Sequence, residues 1–171
     1  RSAYERAENT TGSADTLEKM VMYYPKKEYW NNLLYSVRRL KLTDRQTLQV
    51  YRLMMATQTM QQPSDYAEMA ELAISGGNPG EAQKVLEAGN AANVFTEQRD
   101  KDRTARMLES LKKTTAADLA SLPKIEAEAK NAKTGDVDVA MGNAYLSYGQ
   151  NDKAIAAFNA GIAKGGLKNA A

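Results

Sequence analysis

The chain of 171 residues predicts an all-α fold of repeated helix pairs, and three observations carry the prediction. Ala, Leu, Met, Glu, Lys and Gln abound, whereas alternation of β-branched with polar residues, the mark of strands, is scarce. Turn-forming residues divide the chain into segments of about 8 to 17 residues, the length of ordinary globular helices. A pattern of small and apolar residues recurs in steps of 36, as expected when each unit buries its apolar face only by stacking on another.

The expected breaks are Thr11-Gly12-Ser13, Pro25, Leu42-Thr43-Asp44, Gln62 to Asp65, Gly76 to Gly80, a polar joint near Thr114, Thr134-Gly135-Asp136, Gly149 to Asp152, and Gly165-Gly166. They define one helical repeat domain over 1–171, expected to be a fragment of a longer chain because it begins at Arg1 without an initiator Met. The first pair, 1–26, is clipped: Arg1 to Asn9, then Ala14 to Tyr24, with Pro25 closing the second helix. In 27–62 the first helix carries Trp30, Leu33, Leu34 and Val37 on one stripe, and Val50 follows in the second. In 63–96 the stripes are Tyr66, Met69, Ala70 and Ala73, then Ala82, Val85, Leu86 and Gly89. The pattern returns in 135–167 as Asp138, Met141, Gly142 and Tyr145, then Ala154 and Phe158. Leu86 and Phe158 are 72 residues apart, which places Leu122 as their equivalent in 97–134. That stretch fits worst, with Arg106 and Glu109 at apolar positions and Pro123 expected to kink or break its second helix. It reads as a degenerate repeat or a longer helical insertion.

Composition removes several chemistries. Without Cys or His there is no disulfide, zinc finger, imidazole base or thiolate nucleophile to expect. Neither a metal nor a cofactor is expected, and no catalytic residue is assigned. Gly76 to Gly80 lacks the Lys-Ser/Thr of a phosphate-binding loop, and a helix-helix turn accounts for it. Asp136 and Asp138 fall short of a calcium loop, so Asp136 is expected to cap a helix. Glu126 and Glu128 read as solvated, and Met20, Met54, Met69, Met107 and Met141 as core fillers. No apolar run reaches the length of a membrane span. The net charge of +2 is too small to imply a polyanion partner by itself, although seven basic residues crowd between Lys26 and Arg52 among Tyr29, Trp30, Tyr35 and Tyr51.

The spacing Gly142-x2-Tyr145-x8-Ala154-x3-Phe158, with Trp30-x2-Leu33 upstream, resembles the tetratricopeptide repeat. Tyr24-Pro25, Tyr29-Trp30 and Tyr148 to Leu167 are further similar to secreted or periplasmic proteobacterial repeat proteins of unassigned role. The family pattern makes Trp30, Leu33, Leu34, Ala70, Ala82, Leu86, Gly142, Tyr145, Ala154 and Phe158 packing residues. It implies a right-handed superhelical solenoid of antiparallel helix pairs, a non-catalytic interaction scaffold whose first helices line a concave groove for a peptide or protein segment. On that register the groove positions are Asn31, Tyr35 and Arg38, then Ala67, Glu71 and Ile74, then Val139, Asn143 and Leu146. The resemblance implies a bacterial periplasmic or secreted setting, with the cytoplasm left open, and exposed repeat ends that could self-associate. The alternative is a regulatory RNA- or anion-binding array using the basic segment 26–52, with nucleic acid the less favoured partner.

Overall fold

A computed structural model describes residues 10–168, and these residues are all-helical, with eight α-helices and no strand. The helices are α1 (Thr10–Tyr23), α2 (Lys27–Val37), α3 (Asp44–Ala56), α4 (Pro63–Ser75), α5 (Pro79–Ala91), α6 (Gln98–Asn131), α7 (Asp136–Ser147) and α8 (Asn151–Lys164). They belong to two compact units, one up to Leu72 and one from Ala73 onward, with the boundary inside α4. The Arg1 to Asn9 half of the clipped pair lies outside the described residues.

In the first unit, Leu17 and Val21 of α1 and Leu33 of α2 form a buried cluster, with Met20, Tyr29, Trp30 and Val37 packed against it. This packing explains why α1 runs through Thr11-Gly12-Ser13, where the sequence predicts a break. A helical Gly costs only about 1 kcal/mol, less than burying Leu17 and Val21 returns. Pro25 ends α1 as expected. Helix α3 starts on a capping box, in which Thr43 Oγ1 accepts from Gln46 N and Gln46 Oε1 accepts from Thr43 N. It ends at Gln58 in the left-handed region, with Thr59 N donating to Met54 O and Gln58 N to Met55 O.

The second unit reuses that ending. At Gly77, Asn93 and Gly149, all with positive φ, the same two backbone bonds close α4, α5 and α7. Gly77 and Gly149 are 72 residues apart, as are the first residues of α5 and α8, Pro79 and Asn151. The 36-residue step therefore has a backbone counterpart at two of its marks.

Between them, where a degenerate repeat or a longer helical insertion is expected, stands one helix. Helix α6 spans 34 residues, through Thr114 and through Pro123. The step places Lys113 where Gly77 and Gly149 stand, and a side chain there disfavours the left-handed turn. No glycine favours a reversal there, and the helix continues. Thr114 Oγ1 and Thr115 Oγ1 bond back to the carbonyls of Ser110 and Lys112, so the polar joint is absorbed into the helix. Pro123 is exposed while Leu122 and Ala129 beside it are buried, and that burial offsets the lost amide donor.

Helix α6 packs along both α5 and α7, and α7 packs on α8. Leu122, Tyr145, Ala154 and Ala157 form the core at this end, with Ile125, Met141, Ala144, Tyr148 and Phe158 against it. Gly142 is required here: a Cβ on it would stand 2.5 Å from the Phe158 ring. At the start of α7, Gly135 lies against the backbone of Gly161, and its amide donates to Gly165 O at 2.9 Å. Gly135, not Asp136, is the N-cap residue, and no side chain caps the helix. Asp136 is already helical, and its carboxylate instead accepts from Thr134 Oγ1 and Lys168 N.

Candidate functional site

The residues that carry the repeat pattern are occupied by packing. Leu33, Leu34, Ala70, Ala82, Leu86, Tyr145 and Ala154 are buried, as is Gly142, and Trp30 and Phe158 are half-buried. Binding must therefore use other positions.

In the first unit, Asn31 and Tyr35 are exposed on α2, with Tyr35 65% exposed, and Glu71 is exposed on α4. Arg38, at the end of α2, is half-buried and turned into the unit. Its guanidinium donates to Asp65 Oδ1 at 2.7 Å and to the Tyr51 hydroxyl at 2.7 Å, and lies 4.8 Å from the centre of the Tyr51 ring. Tyr51 donates in turn to Glu68 Oε2 at 2.6 Å. Asp65 also accepts from the amides of Gln61 and Gln62, so α2, α3 and α4 meet at one buried carboxylate. Burial, and then the bond to Glu68, push the Tyr51 hydroxyl well above its ordinary pKa.

In the second unit, Ile74, Asn143 and Leu146 are exposed, Ile74 at 41% and Leu146 at 50%. Ile74 also lines a cleft of about 360 Å³, together with Gly77 and Pro79 on one wall and Met107, Ser110, Leu111, Thr114 and Asp118 on the other. The α6 wall is a single stripe at i, i+3, i+4, i+7 and i+11. Its periodicity was present in the sequence, but an expected break near Thr114 divides it.

Asp118 is held at the end of that wall by the Tyr148 hydroxyl, which donates to its Oδ2 at 2.5 Å. Tyr145, one turn earlier on α7, donates to Glu126 on α6, and the Lys153 ammonium lies 5.3 Å from the Tyr145 ring centre. Glu126 is thus a partner of α7, unlike the solvated reading, whereas Glu128 is exposed. Burial, and then the hydrogen bond to Glu126, push the Tyr145 hydroxyl up to about 12. Tyr148 is raised by burial and then by its bond to Asp118.

Two further polar ties complete the frame. Ser147 Oγ accepts from Glu81 N, and Ser147 O accepts from Lys84 Nζ, so α7 supplies the cap that Asn78 does not give α5. Asp138 is buried and receives Lys164 Nζ at 2.7 Å, and that ammonium also donates to Ala129 O. This ion pair satisfies the Asp138 carboxylate. Among the described residues no group of three or more acidic side chains could hold a metal ion, and no helix is long and apolar enough to cross a membrane.

No protein-family model, curated protein or solved structure matches the chain.

Proposed function

We propose that this chain is a non-catalytic protein-protein interaction scaffold of tetratricopeptide-like helix pairs, arranged as a right-handed superhelical solenoid, that holds a peptide or protein segment against the exposed faces of its first helices. One observation carries the reading: the residues of the repeat pattern are consumed by packing, while first-helix positions expose Tyr35, Ile74 and Leu146 beside Asn31 and Asn143. Large apolar side chains next to amides suit a peptide, because the amides can pair with its backbone and the apolar surfaces can receive its side chains. On the strength of the resemblance we propose a bacterial periplasmic or secreted setting, with the cytoplasm left open.

The RNA- or anion-binding alternative draws on the basic segment 26–52. Arg38 is committed to Asp65 there, and Tyr51 is fully buried, so neither is presented for phosphate contact or base stacking.

Selection from a displayed peptide library, followed by affinity measurement on single variants, tests the proposal. Selected peptides are expected to lose about tenfold in affinity on Tyr35→Ala or Leu146→Ala, the size of a good contact residue. Peptides indifferent to Asn31, Tyr35, Asn143 and Leu146 substitutions would refute it. A steep fall of RNA affinity with salt would instead support the alternative.

A further inference from the structure

The cleft of the second unit has a polarity that narrows what can fill it. Its walls are apolar at Ile74, Pro79, Met107 and Leu111, with the hydroxyl residues Ser110 and Thr114 between them. From Met107 to Asp118 the α6 stripe is roughly 16 Å long at 1.5 Å per residue. Among the described residues, Asp118 is the only ionisable one in the lining. Its carboxylate accepts one hydrogen bond, from Tyr148, and among the described residues no Lys or Arg is paired with it. The Tyr148 bond fixes one oxygen and leaves the carboxylate its negative charge, with acceptor sites to spare. A volume of about 360 Å³ lies within the range of small-ligand sites.

We propose that this cleft is a subsite for a basic anchor, taking a Lys or Arg side chain of a bound peptide with its ammonium or guanidinium on Asp118 and its aliphatic stem, with a neighbouring apolar residue, along Met107, Leu111, Pro79 and Ile74. The assignment rests on the peptide-scaffold reading above and names the kind of segment held. Charge complementarity decides the occupant. A neutral apolar segment leaves the carboxylate unpaired under the ligand, and an acidic one repels it, whereas a long basic side chain satisfies both the wall and the charge. Tyr148 is a positioning residue in this arrangement.

The test is a titration of the ¹⁵N-labelled chain, followed by its amide spectrum, with the acetylated and amidated peptide Ala-Leu-Lys-Leu-Ala and with analogues carrying norleucine or glutamate for lysine. The lysine peptide is expected to shift the amides of Met107, Ser110, Leu111, Thr114 and Asp118 and to bind about tenfold more tightly than the norleucine peptide, as a charge-assisted hydrogen bond permits. The glutamate peptide should leave these amides unmoved. Asp118→Asn, which keeps an acceptor for Tyr148, should erase the lysine preference, and Tyr148→Phe should retain the sign of that preference. Ser110→Phe, at an exposed position, should fill the cleft and abolish binding there. Equal binding of the lysine and norleucine peptides, or a preference that survives Asp118→Asn, overturns the assignment. So does the absence of binding by all three peptides. Shifts confined to Tyr35 or to Asn143 and Leu146 overturn the cleft assignment and leave the scaffold reading standing, which peptide selection tests on its own.

Discussion

Gly135→Ala should loosen the α7-α8 hairpin more than any exposed change on the same helices. Gly135 has a negative φ, so the substitution meets no backbone strain there, and its cost is steric. The new methyl would lie 2.0 Å from Gly161 O and 2.6 Å from its carbonyl carbon. Ordinary contact begins near 3.4 Å, and the obstacle is backbone, so α7 and α8 must separate by roughly 1.4 Å where they meet. Overpacking of this kind costs about 1–3 kcal/mol. Replacing Gly by Ala at an N-cap adds about 0.5–1 kcal/mol. The separation also stretches the Gly135 N to Gly165 O bond and the Lys164 to Asp138 ion pair, which cross the same gap. A total near 3 kcal/mol corresponds to a fall of about 1–2 M in urea midpoint at the usual dependence. Urea unfolding followed by far-ultraviolet circular dichroism measures it, with Asn143→Ala, exposed on α7, as a control expected within about 0.5 kcal/mol. Gly135→Ala combined with Gly161→Ala should cost less than the sum of the two, because one separation relieves both contacts. A Gly135→Ala chain as stable as the Asn143→Ala control would refute the close approach.

Other perturbations probe the remaining frame. Arg38→Ala leaves the buried Asp65 carboxylate without its cation and should destabilise the first unit by about 3 kcal/mol, whereas Tyr51→Phe, which removes one bond to Glu68 and one from Arg38, should cost about 1–2 kcal/mol; chemical denaturation compares them. Lys113→Gly should cost about 1 kcal/mol by helix propensity, and grafting Gly-Gly-Asn-Pro at 112–115 should reduce the helical signal by installing the turn that α6 lacks. Tyr145 titrates in the folded chain at about 12, above its ordinary 10.0, so the protonated hydroxyl favours folding below pH 10 and that contribution is lost as pH rises through 12. The share of Tyr145 in stability should accordingly drop by up to about 2–3 kcal/mol across that interval, with Tyr51 and Tyr148 adding to the slope, and Tyr145→Phe should remove that share; tyrosinate absorbance followed with unfolding checks both.

What the sequence revealed and what it hid follow from the range of the forces involved. Pro25, Thr43, Pro63, Gly77, Pro79, Gly135, Gly149 and Gly165 mark helix ends because turn, cap and ring chemistry acts on the residue that carries it and its immediate neighbours. The periodic stripes likewise mark residues that face inward, among them Leu33, Leu34, Met69, Ala70, Ala82 and Leu86, whereas the contact of Gly142 with the Phe158 ring is visible only in the structure. The long α6 is the second of the two readings open for 97–134, the longer helical insertion, and what disfavours a turn inside it is Lys113 in the place of Gly77 and Gly149. Arg38 was legible as a position on the α2 face but not as a bond, since Asp65 lies 27 residues away and a long side chain at a helix end can fold back to a buried carboxylate. Asp118 and Tyr148, 30 residues apart, were hidden for the same reason.

The fused helix α6 has a consequence for cooperativity. In a stack of helix hairpins each interhelix turn is a place where unfolding can pause, with one hairpin open and the next still closed. Residues 98–131 offer no such stop, and their two ends are tied to different neighbours, Thr115 to Gln83 of α5 and Glu126 to Tyr145 of α7. Opening either flank removes support from the same rod, so slow amide exchange along α6 should report one event shared by α5 and α7 in place of two independent ones.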